Sequence, residues 1–313
     1  MRLRTLGKTG IEIPELCLGT WGLSGDGYGA VEETEQDQVI ERALALGITA
    51  FDTADTYGNG AMESRLGRLL APHPSALVIT KVGTDRSATP PIKRFDAEYL
   101  KTAVLKSRER LARRIDVLLL HNPSTVALVK PHVAATLNAL VDDGTIRTWG
   151  ASVGDANTGK LAIEQGAQVL ELAYSAFHQQ DLAGVLALAR EKQIGLLGRS
   201  VLAHGLLCGQ WPTTKQFPTG DHRRDRWTSD DFAQRISQLS ALRPSVWGEV
   251  TSLRAAALRY ALAQAALSAV VIGPRNAVQL DQLVRDAGKE PPYLTEAVKY
   301  AIELRLGDVG IRP

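Results

Sequence analysis

The chain alternates between two kinds of segment. Short apolar runs that read as strands are each followed by a run with helical spacing, and the pair recurs eight times. The strand-like runs are 16–21, 50–54, 77–82, 115–122, 148–153, 169–176, 195–201 and 269–273. The helical runs start near Thr34, centre on Leu66, span 97–111 and 132–141, close at Gly166, and span 182–192, 255–264 and 277–287. Near-continuous apolar strands separated by helices imply a parallel sheet covered by helices. Eight such units in 313 residues fit a closed (β/α)8 TIM barrel. An open doubly wound sheet is the alternative, but its first turn would carry GxGxxG and this one reads GTWGLSG. No linker breaks the series, so one domain over 1–313 is expected.

Three pieces lie outside the alternation. Runs 3–6 and 11–13 flank LGKTG and suggest an N-terminal hairpin. The stretch 203–250, with Trp211, Pro212, Pro218, Pro244 and a DHRRDR run, is too long for a structureless connection. It reads as a functional loop or lid after strand seven, with some short helix. A further helix is expected over 294–304. Local signals fix several helix ends: Thr34 with Asp37 as a capping-box variant, Asp96 as a cap, and Gly47 and Gly144 as stops.

Composition narrows the class. The chain is 44% hydrophobic and 22% charged, as a soluble globular protein with a sizeable core would be. A formal net charge of +2 offers no basic field for nucleic acid. Cys17 and Cys208 have neither zinc spacing nor a disulfide framework, which fits a reducing compartment. MRLRTLGKTG lacks the apolar segment of a signal peptide. The most hydrophobic long window, 255–273, contains Arg259 and Gln264 and reads as a helix followed by a strand, not a membrane span. A cytoplasmic protein without membrane or nucleic-acid partners is expected, with a monomer as the default.

In such a barrel the chemistry sits at the C-terminal ends of the strands. There strand two carries Asp52 and, just beyond, Tyr57; strand three carries Lys81; strand four ends in His121. Ser152, Glu171, Tyr174, Arg199 and Ser200 follow on strands five to seven. The first four make an acid–base set for a carbonyl or alcohol. A free phenol, with a pKa near 10, is a poor catalyst at neutral pH. A lysine beside it favours the phenolate, Asp52 can hold that lysine, and His121 can hydrogen-bond a substrate oxygen. Each has a plainer reading as an ion pair, a packed rim residue or loop packing; their meeting at one rim favours the site. No second metal ligand accompanies His121 at suitable spacing, so no metal is expected.

The segments LGKTG, LCLGTWG, FDTADTYGNGAMESRLG, ITKVG, IDVLLLHNP, LVDDGTIRTWGAS, SVLAHGLLCG and VIGPRNAVQL, in this order, resemble the aldo-keto reductases over nearly the whole length. The resemblance implies the same barrel and a catalytic tetrad of Asp52, Tyr57, Lys81 and His121. It makes Tyr57 the general acid, Lys81 paired with Asp52 its tuner, and His121 the group that orients the carbonyl. It also implies NADPH lying across strands five to eight. Positions matching the family's cofactor contacts are Gly19, Thr20, Trp21, Asp52, Ser152, Glu171, Arg199, Ser200, Leu202, Gly205, Leu206, Gly273, Arg275, Gln279 and Gln282. Several depart from the usual residues: Val153 replaces an Asn, Glu171 a Gln, Arg199 an aromatic, and Gln282-Leu283 a Glu-Asn pair. Arg275 is the expected grip on the 2′-phosphate. Trp21, Tyr57, His121 and Asn122 are expected around a small carbonyl substrate. Tyr28, Trp211 and Trp227 are either further pocket wall or packing within their own loops. The leading expectation is an NADPH-dependent reductase. The alternatives are a sugar or alcohol dehydrogenase working oxidatively, and a non-catalytic NADP(H)-binding sensor or partner subunit.

Overall fold

The structure, a computed structural model, describes residues 1–311. Its centre is a closed barrel of eight parallel strands: Leu16–Gly19, Ala50–Asp52, Leu77–Val82, Ile115–His121, Ile146–Ser152, Val169–Ala173, Gly195–Arg199 and Ala269–Ile272. The ring closes where the first strand pairs on one side with the second, Leu18 opposite Phe51, and on the other with the eighth, Leu18 opposite Ile272. Helices follow each strand and bury one apolar stripe against the sheet; in Glu33–Ala45 that stripe is Val39, Ile40 and Ala43.

The inside of the barrel is layered, and the layering places the site. The hairpin of Leu3–Thr5 with Glu12–Pro14 caps the N-terminal end. It feeds Leu6, Ile11 and Ile13 into one apolar cluster with Cys17, Ala50, Ile79, Leu119, Val169 and Leu197. Side chains on a strand return to the same face every second residue. Two positions beyond Ala50, Ile79, Leu119, Val169 and Leu197 stand Asp52, Lys81, His121, Glu171 and Arg199. An apolar plug at one end thus becomes a charged layer at the other, within one strand period. Arg4 locks the hairpin, donating to Glu15 at 2.7 Å and to the carbonyls of Leu262 and Leu267 at 2.8 Å each.

Some local expectations are corrected. Thr34 is not a capping residue: the helix starts at Glu33 behind Glu32, without a side-chain cap. Asp37 is drawn away to Arg65 and Arg68 of the next helix, where two guanidiniums reward it more than one backbone N–H. The polar loop around Pro90 holds a two-stranded ribbon, Thr84–Asp85 with Ile92–Lys93. The stretch after strand seven holds a 3-10 turn, Ala203–Cys208, and a helix, Ser229–Gln238, with a Thr228–Asp231 capping box. The last helix is Glu296–Asp308, displaced toward the C-terminus from the 294–304 that its apolar pattern suggested. No helix among the described residues is long and apolar enough to cross a membrane.

Candidate active site

Lys81 is the hub of the charged layer. It is 1% exposed, and each of its three ammonium protons has an acceptor: both Asp52 oxygens at 2.6 Å and the Thr53 carbonyl at 3.0 Å. A second carboxylate faces it, with Glu171 Oε2 3.6 Å from Nζ. Burial opposes the ammonium, but the charges of Asp52 and Glu171 outweigh it, so the Lys81 pKa is raised and the side chain stays charged. Burial, then the Glu171 charge, push the Asp52 carboxyl up, and Lys81 pulls it back. Burial acts on Glu171 too, but Lys81 and its hydrogen-bond partners hold it low. The two carboxyls titrate as one unit around one lysine.

Tyr57 enters from the loop after strand two. Gly58, Asn59 and Gly60 have φ of 58°, 54° and 90°. Three consecutive left-handed residues are tolerable only with glycine and asparagine, and they fold the turn back over the barrel mouth. The turn is held from two sides: Gly58 N–H donates to Asp26 at 2.6 Å, and Arg86 to the Thr56 carbonyl at 2.6 Å. The Tyr57 ring meets His121 edge-on, with centroids 6.1 Å apart, and its centroid is 5.4 Å from Lys81 Nζ. The expected lowering of its pKa by Lys81 does not prevail. Burial raises the phenol, and Asp52 and Glu171 reinforce it against Lys81. His121 is driven down to about 3 by burial and by the charges of Lys81 and Lys93, so it is neutral at working pH. Its Nδ1 is buried without a hydrogen-bond partner, while Lys93 fixes its carbonyl at 2.6 Å.

Asp55, three residues after Asp52, is a stored cost in this loop. Its Oδ1 is buried without a partner. Burial and the charge of Glu63 raise its pKa to about 7. The folded protein therefore binds this proton more tightly than the unfolded chain, whose aspartate titrates near 4. Between those values stability falls as pH rises, and the cost is fully present above pH 7. Asp55→Asn is expected to stabilise the protein by about 1–3 kcal/mol at pH 8 and by little at pH 4. Urea denaturation at the two pH values measures this; equal effects at both would refute it.

The expected cofactor positions divide. Ser152 Oγ donates to Glu171 Oε1 at 2.9 Å, and Arg199 donates to the Val153 carbonyl at 2.9 Å with Nε 3.6 Å from Glu171. Ser200 starts the next loop in the left-handed region, φ 58°. That loop runs through Leu202 and Gly205, which packs on Trp211, to buried Leu206. Gly19 and Thr20 serve the barrel seam: Gly19 lies against Val271, and Thr20 bonds the Asp52 carbonyl at 3.0 Å. Gly273 borders open space. Arg275 also serves the protein itself. Its Nε and one terminal nitrogen hold the loop after strand one, at 3.2 Å to Gly22, 2.9 Å to Gly29 and 3.0 Å to Ala30 carbonyls. Gln279 accepts from the Arg275 N–H at 2.9 Å, and Gln282 accepts from Arg254 at 2.8 Å rather than facing open space. Asn122 is exposed with φ 50°, its N–H bonded to Ser152. Tyr174 is not at the mouth: it is buried and stacks on Tyr260.

Two loops roof the mouth. His222 N–H bonds the Gly27 carbonyl at 2.9 Å, and Tyr28 forms an isolated bridge with Asp221. Trp21, Tyr28, His204 and His222 pack ring against ring, with Tyr28 OH 3.2 Å from His204 Nδ1. Trp211 and Trp227 instead pack with Phe217 and Phe232 as the core of the long loop. Arg223, clamped by Asp221, joins the two groups by lying over Tyr28, Trp211 and Phe217. Sequence reasoning missed His204, His222, Arg223 and Lys93. The DHRRDR run was the available signal, but nothing local said which loop it would meet.

Comparison with known proteins agrees with the barrel. A family model described as the aldo/keto reductase family matches residues 15–300. Aldo-keto reductase YhdN of Bacillus subtilis is 26% identical, covering 92% of this chain and 89% of that protein. D-threo-aldose 1-dehydrogenase of a Pseudomonas species is 28% identical, covering 90% and 92%. The solved glycerol dehydrogenase of Gluconobacter oxydans superposes with a TM-score of 0.86 at 24% identity, over 99% of this chain and 97% of that one, a likeness of fold.

Proposed function

Because the chain belongs to the aldo/keto reductase family, whose members are oxidoreductases using a nicotinamide nucleotide, we propose that it reduces an aldehyde, ketone or sugar-derived carbonyl to an alcohol with NADPH. The observation that carries this reading is the meeting of Tyr57 with neutral His121 beside Lys81 clamped by Asp52. Tyr57 donates its phenolic proton to the carbonyl oxygen as negative charge develops there. Neutral His121 has one N–H to give the same oxygen, which orients the carbonyl without adding a second acid. Asp52 holds Lys81 charged, and Lys81 stabilises the phenolate left behind. The nicotinamide supplies the hydride when bound.

The donor set suits that cofactor. Ser152 and Glu171 offer a hydroxyl and a carboxylate oxygen without a hydrogen-bond partner for a carboxamide. Gly273 borders open space beside the start of the helix Ala277–Ala287, whose first N–H groups favour an anion. The Nη1 of Arg275 makes no hydrogen bond among the described residues, so it can take a 2′-phosphate while the other nitrogens keep the loop. Roofing by Trp21, Tyr28, His204 and His222 favours a small polar carbonyl compound. The dehydrogenase names of several relatives support an oxidative reading on a sugar or alcohol, through the same residues run in reverse.

The test is NADPH consumption with a panel of small aldehydes and hydroxy-ketones; cofactor binding without turnover on any of them would overturn the reading. Arg275→Ala is expected to weaken NADPH binding about tenfold or more, the loss of one charge-assisted contact, and to spare NADH. Calorimetric titration with both nucleotides decides it. Equal losses for both would mean that Arg275 serves only the loop.

A further inference from the structure

Glu171 is unlike its neighbours in the charged layer, because it brings a second carboxylate to a lysine that already has one. It is 1% exposed, Oε1 is held by Ser152 at 2.9 Å, and Oε2 is buried with no hydrogen-bond partner, 3.6 Å from Lys81 Nζ. An unpartnered buried carboxylate oxygen is costly. A glutamine, which the resemblance puts here, would carry no charge. We propose that Glu171 is a second counter-ion of Lys81 that keeps Tyr57 in its phenol form, setting the site toward carbonyl reduction. This rests on the reading of Tyr57 as the proton donor.

The charges around the phenol support it. Facing Glu171 are Asp52 from strand two, Lys81 from strand three, Ser152 from strand five, Arg199 from strand seven and the Cys17 thiol from strand one. Facing Tyr57 are Lys81, Asp52, Glu171, Arg199 and neutral His121. Of the two carboxyls, burial and Glu171 push Asp52 up while Lys81 and its hydrogen bonds hold Glu171 low, so Glu171 carries the settled negative charge facing Lys81 and Arg199, which would otherwise draw the phenol toward phenolate. Glu171 cancels that pull. Its carboxylate lies 3.6 Å from Arg199 Nε, and Arg199 is 29% exposed and partly screened by water. Alcohol oxidation needs Tyr57 as phenolate to take a proton; carbonyl reduction needs the phenol. A field that holds the proton on Tyr57 extends the reductive direction to higher pH and confines the oxidative one to alkaline conditions.

Glu171→Gln removes the charge and keeps the shape and the acceptor for Ser152. The measurement is the phenolate absorbance of cofactor-free protein on raising pH, with Tyr57→Phe in each background to isolate the contribution of Tyr57. The Tyr57 titration is expected to move down by about one pH unit or more in Glu171→Gln, and to stay with the wild type in Glu171→Asp, which restores the charge. The pH profile of alcohol oxidation should move down with it, and the alkaline limb of reduction should follow. A Tyr57 titration unchanged by Glu171→Gln overturns the proposal, whatever happens to turnover. A shifted titration with Tyr57→Phe still fully active overturns the reading of Tyr57 as donor, and the reductive bias with it.

Discussion

Tyr57→Phe lowers kcat for carbonyl reduction by about 10²–10⁴-fold, the contribution of a positioned general acid, and leaves cofactor affinity where it was. The phenol is the one group at the mouth placed to give up a proton. His121 is neutral and depressed to about 3, so it cannot deliver one at working pH without becoming a strong base. Lys81 spends all three of its protons on Asp52 and Thr53. Phenylalanine keeps the edge-on contact with His121 and loses only the oxygen, so the fold and the loop tethers through Asp26 and Arg86 should survive. Stopped-flow reduction of a reactive aldehyde at saturating NADPH, beside fluorescence titration of the cofactor, measures the two separately. Wild-type turnover in the variant would end the proposed mechanism; lost cofactor binding would move Tyr57 from proton transfer to cofactor positioning.

Lys81→Met should cost the most stability. It leaves Asp52 and Glu171, both almost fully buried, facing each other with no ammonium between them. Removing one partner of a buried ion pair typically costs about 3–5 kcal/mol, because the remaining charge is uncompensated. Here two charges remain, and the pair must take up a proton. Without Lys81, the Asp52 carboxyl, already raised by burial, climbs further, and Glu171 rises above its unfolded value with it. Stability is then lost as pH climbs from the unfolded carboxylate range toward neutrality, and recovered as pH falls. Urea denaturation is therefore expected to show a larger deficit at pH 8 than at pH 5. A deficit independent of pH would mean that the variant suffers from altered packing rather than from unpaired charge.

The architecture was legible because it repeats. Eight apolar runs with helical runs between them can bury both sheet faces in few ways, and the closed barrel is one of them. The same regularity exposed Asp52, Lys81 and His121, since an ionisable residue at the end of an apolar strand stands out from its surroundings. Tyr57 followed from its nearness in sequence to Asp52 and from the glycines beside it. Thr34 and Asp37 went the other way: a local pattern promised a cap, and arginines from the next helix took Asp37.

Wherever a residue's place depends on its own strand period or loop, the order of amino acids was enough: the closed barrel, and the strand-end positions of Asp52, Lys81 and His121. Wherever a role depends on what a distant segment brings near, only the folded chain decided it. Arg275 read as a phosphate ligand and proves also to be the tie for a loop some 250 residues away in sequence. His204 and His222 meet Trp21 and Tyr28 only because two loops share backbone contacts over the mouth. Glu171 read as a substitute amide contact, and the structure sets its charge against Lys81. The physical reason is the same in each case. Apolar periodicity is written along one segment, whereas hydrogen bonds and charges act over a few ångströms between segments whose separation in sequence carries no record of the distance.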